Sequence, residues 1–179
     1  MKLLFIPKDE ELRIIRNIKI LYPKKSNDKS KITFNDFNNN LVFSINLKTH
    51  KLSNQLIGMI FERVVGISFE RENFQIQYLG IDNYNKPGGD LGIDLICKKK
   101  DNPNFYIQCK YLDKGTLGPQ RIENILYKAG NYINKYEKNK SNFILVSNKN
   151  ITLEKNKQRF LKWNELQSKI ILEFKVIDF

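Results

Sequence analysis

The chain has 179 residues, of which 41% are hydrophobic and 12% aromatic, enough apolar surface for a real core and too much for a chain disordered throughout. Lys and Arg number 31 against 19 Asp and Glu, a formal charge of +12, which favours nucleic acid or an anionic membrane surface as partner, although a Lys-, Asn- and Ile-rich composition is also what an AT-rich genome encodes. Two cysteines make no secreted disulfide framework, no apolar run approaches the ~20 residues of a membrane span, and "MKLLFIPKDEE" turns acidic too early for a signal peptide, so a soluble, intracellular, reduced protein is expected.

Along the chain, "PKDEELRIIRNIKIL" places apolar residues at 12, 15 and 18, as a short helix does. "YPKKSNDKSK" reads as a polar, basic loop, and "KITFNDFNNNLVFSINL" as two strands around an Asn-rich turn. Residues 1–52 are therefore expected to form an N-terminal extension, a helix plus a β-hairpin, and residues 53–179 an α/β domain. Ser53 is placed to cap a helix whose apolar stripe is Leu56, Ile57, Ile60, Phe61 and Val64, ending between Gly66 and Asn73. "FQIQYLG" (74–80) alternates like a half-buried strand. "DNYNKPGG" is a loop, "DLGIDLICKKK" a strand, "DNPN" a turn and "FYIQCKYL" the next strand. A helix starts near Pro119, with Ile122, Ile125, Leu126, Ala129 and Ile133 on its buried face. "SNFILVSN" reads as a strand buried on both faces. A helix capped by Thr152 and a last strand, "IILEFKVIDF", complete an α-β-β-β-α-β-α-β order, a mixed sheet flanked by helices.

The chemistry concentrates in "GGDLGIDLICKKKDNPNFYIQCKY" (88–111). Gln108 and Lys110 lie two apart on a strand and share one face, while Ile107, Cys109 and Tyr111 take the other. Asp94 joins that face only if paired residue numbers across the two antiparallel strands sum to an even value. A four-residue turn gives an odd sum; a three- or five-residue turn, or a bulge, gives the even register expected here. The same parity puts Cys97 and Cys109 on the opposite, core-facing side, as small buried hydrophobes. A hard divalent cation takes oxygen ligands, and the strands offer the Asp94 carboxylate, the Gln108 side-chain carbonyl and the backbone carbonyl of Cys109. A cation so held lowers the pKa of a bound water and neutralises charge on a phosphate, with the Lys110 ammonium beside it to orient the water or stabilise that charge. Glu62 is either an outer-shell ligand or a solvated helix residue, and Asp90 either a second carboxylate near the metal or a turn residue after Gly88 and Gly89. His50 is the lone histidine, so no histidine triad or His-rich zinc site is available, and no phosphate-binding glycine loop is present.

These residues resemble the PD-(D/E)xK nuclease superfamily, and within it the Mrr-type restriction endonucleases. Gly89, Asp90, Gly92 and Asp94 match that group's Gly-rich, acidic approach to the metal aspartate, and Gln108-Cys109-Lys110 its use of Gln in the second half of the motif. Phe61-Glu62 matches the "FE" of its first helix, and "LGPQRIENILYKAG" the helix after the motif. The resemblance spans roughly residues 53–148, with one departure: Asn73 stands where a glycine often ends the first helix. It implies a restriction-endonuclease-like mixed β-sheet flanked by helices, with an α-β-β-β-α-β core and the N-terminal elaboration outside it. It also implies Mg²⁺-dependent endonuclease activity on DNA, Mn²⁺ substituting, with Asp94, Gln108, Lys110 and Glu62 as the active-site set.

Lys98, Lys99, Lys100, Lys114, Arg121 and Lys128, with basic clusters at 135–140 and 155–162, are the expected phosphate contacts. Tyr111, Tyr127, Tyr132 and Tyr136 are candidates to stack on bases, against the alternative of solvated surface and helix packing. Two other functions fit the same residues: a non-catalytic nucleic-acid-binding module on this fold, and a structure-selective nuclease such as a junction resolvase, usually a homodimer.

Overall fold

The computed structural model describes residues 3–87, 91–150, 154–167 and 169–179, without the side chains of residues 154, 155, 157 and 160. The N-terminal region comprises β1 (Leu4–Phe5), α1 (Lys8–Asn17), a 3₁₀ turn over Ile18–Ile20, β2 (Tyr22–Lys25), β3 (Lys31–Asn35), β4 (Leu41–Asn46) and β5 (His50–Lys51). Then follow α2 (Asn54–Glu70), β6 (Gln75–Tyr78), α3 (Leu79–Asp82), β7 (Leu95–Lys98), β8 (Phe105–Lys110), α4 (Pro119–Tyr136), β9 (Ser141–Ser147), α5 (Glu154–Leu166) and β10 (Ile170–Val176). Five strands form one mixed sheet in the order β10-β9-β8-β7-β6, antiparallel from β6 to β8 and parallel from β8 to β10. Parallel neighbours need crossovers, and α4 and α5 supply them.

The ends of α2 follow from local chemistry. Ser53 Oγ accepts the Leu56 amide at 3.0 Å, satisfying one of the donors that a helix start leaves open. At the other end Asn73 adopts φ +66° and the Phe74 amide reaches back to Phe69 O at 3.1 Å. Asparagine thus serves where glycine is the usual left-handed terminator. Pro119 opens α4, and its expected face, Ile122, Ile125, Leu126, Ala129 and Ile133, is buried against one side of the sheet with Phe143, Leu145 and Trp163.

The stripe expected on α2 is too narrow. Leu56, Ile60 and Phe61 are buried and Ile57 and Val64 half-buried, but Met59, Arg63, Val65, Gly66, Ile67 and Phe69 are buried as well. A helix covered nearly all round shows no single apolar face, and α2 is covered twice. The five-stranded sheet lies on one side and the N-terminal region on the other, so one apolar cluster runs from Ile6 and Ile14 through Ile60 and Phe61 to Ile144 and Val146.

Two local expectations differ from the structure. The segment read as a loop after Leu21 contains β2, paired antiparallel with β3. Pro23 weakens its strand signal, yet β2 is an edge strand and has no neighbour on its outer side to need the missing N–H. Its turn is closed by Asp28, whose Oδ1 accepts both serine hydroxyls, Ser26 and Ser30, at 2.7 Å. The strand expected over 74–80 stops at Tyr78, where the chain turns into the short helix α3. The strand pair at 31–46 holds, with Asn39 at φ +65° in its turn.

Arg63, 2% exposed, ties these layers together. Its Nε donates to Leu21 O at 2.9 Å, and its Nη1 to Glu70 Oε1 at 2.5 Å and to the Tyr78 hydroxyl. The guanidinium also lies 5.1 Å from the Tyr22 ring centroid. Removing one member of such a network leaves the others buried and unpaired. Arg63→Ala is therefore expected to lower the unfolding free energy by about 3 kcal/mol, read from urea midpoints, and a loss below about 1 kcal/mol would show the network to be incidental.

Candidate active site

Strands β7 and β8 pair Leu95 with Ile107, Ile96 with Tyr106 and Cys97 with Phe105. Each pair sums to the even value on which the Asp94 assignment depends, because residues 98–104 bridge the last pair instead of "DNPN" alone, with Asp101 at φ +62°. Asp94 stands one residue before the first of these pairs, and its amide bonds the partner of Leu95 and not Gln108, so the ladder is irregular at Asp94 while its side chain still meets that of Gln108. The Asp94 amide donates to Ile107 O at 2.8 Å, and Asp94 O accepts the Gly80 amide at 3.0 Å. The backbone of the aspartate is thus strapped between β8 and α3. Its Oδ2 accepts Gln108 Nε2 at 2.5 Å and the Cys109 amide at 2.7 Å. In an antiparallel strand a residue's N–H and C=O point to the same neighbour, so the Cys109 carbonyl is turned toward Asp94 as well.

Glu62 reaches this point from the middle of α2. Gly80 closes over it so tightly that a Cβ there would overlap the carboxylate, which is why the chain leaves β6 for α3 with a glycine. Glu62 Oε2 is buried and has no hydrogen-bond partner among the described residues. Burial pushes the Glu62 carboxyl well above its ordinary value near 4.5, the Asp94 charge pushes it further, and the Lys110 ammonium pulls partly back. Asp94 and Lys110 therefore both lie within electrostatic reach of Glu62. Glu62, Asp94, Gln108, Cys109 and Lys110 all line one cleft of about 500 Å³. Past Lys110 the strand is held by Asn148, whose side chain bonds both the Leu112 amide (2.6 Å) and the Leu112 carbonyl (3.0 Å).

The cysteines share the opposite face, both buried and both reduced. They are not side by side, since Cys97 pairs with Phe105, four residues short of Cys109. Burial lifts both thiols, Cys97 to about 12, as befits small buried hydrophobes. Asp90, Gly88, Gly89 and Thr152 lie outside the described residues.

The basic candidates separate. Lys98, Lys99 and Lys100 sit at the far end of β7, roughly 13 Å of strand from Asp94. There Lys99 donates to Glu72 O at 3.0 Å and covers the Phe74 ring. Lys114 follows the site end of β8, Arg121 lies in the first turn of α4, and the Lys128 Cβ abuts Gly92, two residues before Asp94. Of the tyrosines, Tyr111 lines the cleft, Tyr127 and Tyr136 are exposed, and Tyr132 is packed between Tyr106 and Tyr136. Reading along the sequence missed Gly80, Arg63, Asn148 and the cleft wall at Asn83, Tyr84 and Lys86; a glycine that interrupts a strand pattern was the one available signal.

Among the described residues no three His, Cys, Asp or Glu side chains converge. A hard cation here has two carboxylates, an amide oxygen and a peptide carbonyl to draw on, an all-oxygen set that suits Mg²⁺ or Mn²⁺ and not zinc. The orphaned Glu62 oxygen fits the same group, because a buried carboxylate needs a positive partner. Gln108 presents its nitrogen to Asp94, so offering its oxygen requires the amide to turn over.

An acidic pair and a lysine thus share one cleft beside the sheet. The family model described as restriction endonuclease, the Mrr catalytic domain, matches residues 54–157, and the chain belongs to that PD-(D/E)xK-type nuclease family. No curated protein and no solved structure matches it.

Two outcomes follow from the acidic pair. With its pKa raised in the fold, Glu62 releases its proton at a higher pH folded than unfolded, so its ionisation weakens the fold as pH climbs above about 4.5. In EDTA, Glu62→Gln should melt above the wild type at pH 8 and level with it at pH 4; equal melting at both pH values would contradict the burial. Gly80→Ala should displace the Glu62 carboxylate and reduce cleavage roughly a hundredfold while far-UV circular dichroism stays unchanged.

Proposed function

We propose that this nuclease is a Mg²⁺-dependent endonuclease that hydrolyses phosphodiester bonds of DNA in the cleft between α2 and the ends of β7 and β8. The observation that carries the reading is that Glu62, Asp94 and Lys110, from three separate stretches of chain, line one cleft, with Asp94 and Lys110 within electrostatic reach of Glu62. On this reading residues 53–179 are the nuclease unit, with α2-β6-β7-β8-α4-β9 as its restriction-endonuclease-like core, and residues 1–52 are an elaboration behind α2. The net charge of +12 favours a polyanionic substrate.

Asp94, the Gln108 amide oxygen and the Cys109 carbonyl would hold the cation, with Glu62 directly or through water. When bound, that cation supplies an acidified water and a counter-charge for the phosphate. The chain's own groups do the rest. The Cys109 amide fixes the Asp94 carboxylate in one orientation, and Gln108, 2% exposed, is held beside it. Lys110 places an ammonium where charge develops on the attacked phosphate or orients the attacking water. Glu62, which lines the same cleft from α2, would orient that water.

Supercoiled plasmid incubated with Mg²⁺, with Mn²⁺ and with EDTA tests this. Cleavage is expected with either metal and none with EDTA, and Asp94→Ala and Lys110→Ala should each lose at least about a thousandfold in rate with their fold and most of their DNA affinity retained. Undiminished cutting by both variants would remove these residues from the mechanism. Salt-sensitive DNA binding by the wild type without any nicking would instead make the chain a binding module.

A further inference from the structure

Gly58 sits inside α2, where glycine weakens a helix relative to alanine. The usual structural reasons for a glycine do not apply to it. Its φ is not positive, unlike those of Gly92 and Gly115. It is not crowded: a Cβ at Gly66 would strike the Tyr78 ring and one at Gly80 the Glu62 carboxylate, whereas a Cβ at Gly58 would meet none of the described residues within 4 Å. Nor does it end the helix, which runs on to Glu70. Gly58 does line the cleft, between Gln55 and Glu62. Spacings of three and four residues put these side by side on one helix face. About 6 Å further along that face, the buried Glu62 Oε2 has no hydrogen-bond partner among the described residues. The first turn of α2 carries no acid and offers the Asn54 and Gln55 amides, and Lys86 lines the same cleft.

We propose that the bare helix surface at Gly58 is where the DNA sugar-phosphate backbone passes against α2 on its way to Glu62, so that the missing side chain is a binding determinant. The proposal rests on the reading of this cleft as a DNA-cleaving site. Among the described residues of α2, a strand lying there meets the Asn54 and Gln55 amides and no carboxylate before Glu62. A side chain at 58 lifts it from the helix and withdraws the phosphate from the acidic pair.

Gly58→Ala and Gly58→Leu test this by three measurements: melting temperature, affinity for a fluorescent DNA duplex in EDTA, and plasmid cleavage with Mg²⁺. Alanine should raise Tm by roughly 1–4 °C. Cleavage should fall roughly tenfold to a hundredfold, and leucine should lower both affinity and rate further than alanine. Two results overturn the proposal: duplex affinity and cleavage at the wild-type level in both variants, or a fall in Tm for Gly58→Ala, which would give the glycine a packing role. Wild-type protein that binds duplex but leaves plasmid uncut would refute the catalytic reading alone, and the affinities of the two variants would still decide the role of Gly58.

Discussion

The buried guanidinium of Arg63 is the constraint on which the arrangement of layers depends. A charge removed from water must be matched nearly bond for bond, and here the partners come from three directions: Leu21 and Tyr22 from the N-terminal region, Glu70 from the next turns of α2, and Tyr78 from the end of β6. Satisfying Arg63 therefore fixes where β6 must stop. Two residues later Gly80 lies on Glu62 and its amide holds Asp94 O. The N-terminal 3₁₀ turn adds a second hold on the same element through Lys19 Nζ and Asp82 Oδ1, 2.5 Å apart. Residues outside the family match thus brace the short helix that closes the site.

The acidic pair shows the opposite economy. Glu62 is desolvated, faced by another carboxylate and left with an oxygen that no described group bonds. A protein selected for stability alone would place a glutamine or an apolar residue there. Strain of this kind collects at functional sites, and the rest of the molecule offsets it with the extensive burial around α2.

Much of this was legible along the chain, for definite reasons. Helix caps and periodic faces are local, so Ser53, Pro119 and the buried face of α4 could be read directly. The even register of β7 and β8 followed from requiring Asp94 and Gln108 to meet, not from the turn, whose four-residue reading gave the wrong parity. What stayed hidden depends on distant partners. The two-sided burial of α2 arises because residues 6–52 pack behind it, and nothing in its own spacing says so. Strand β2 was masked by Pro23 and its lysines, and Gly80 has meaning only once Glu62 lies against it. Lys98, Lys99 and Lys100 looked adjacent to the site by number, yet a strand carries its two ends far apart.

The parallel pairing of β8 with β9 has a consequence for the order in which the protein comes into being. Lys110 belongs to a strand whose second neighbour, Ser141–Ser147, is made only after the whole of α4. As the chain leaves the ribosome amino end first, Asp94, Gln108 and Lys110 emerge well before the strand that encloses them. In the finished sheet β8 lies between β7 and β9, so without β9 it would be an edge strand. Topology thus sets the order of synthesis: the residues of the candidate site are made early, and the strand that completes their sheet is made late.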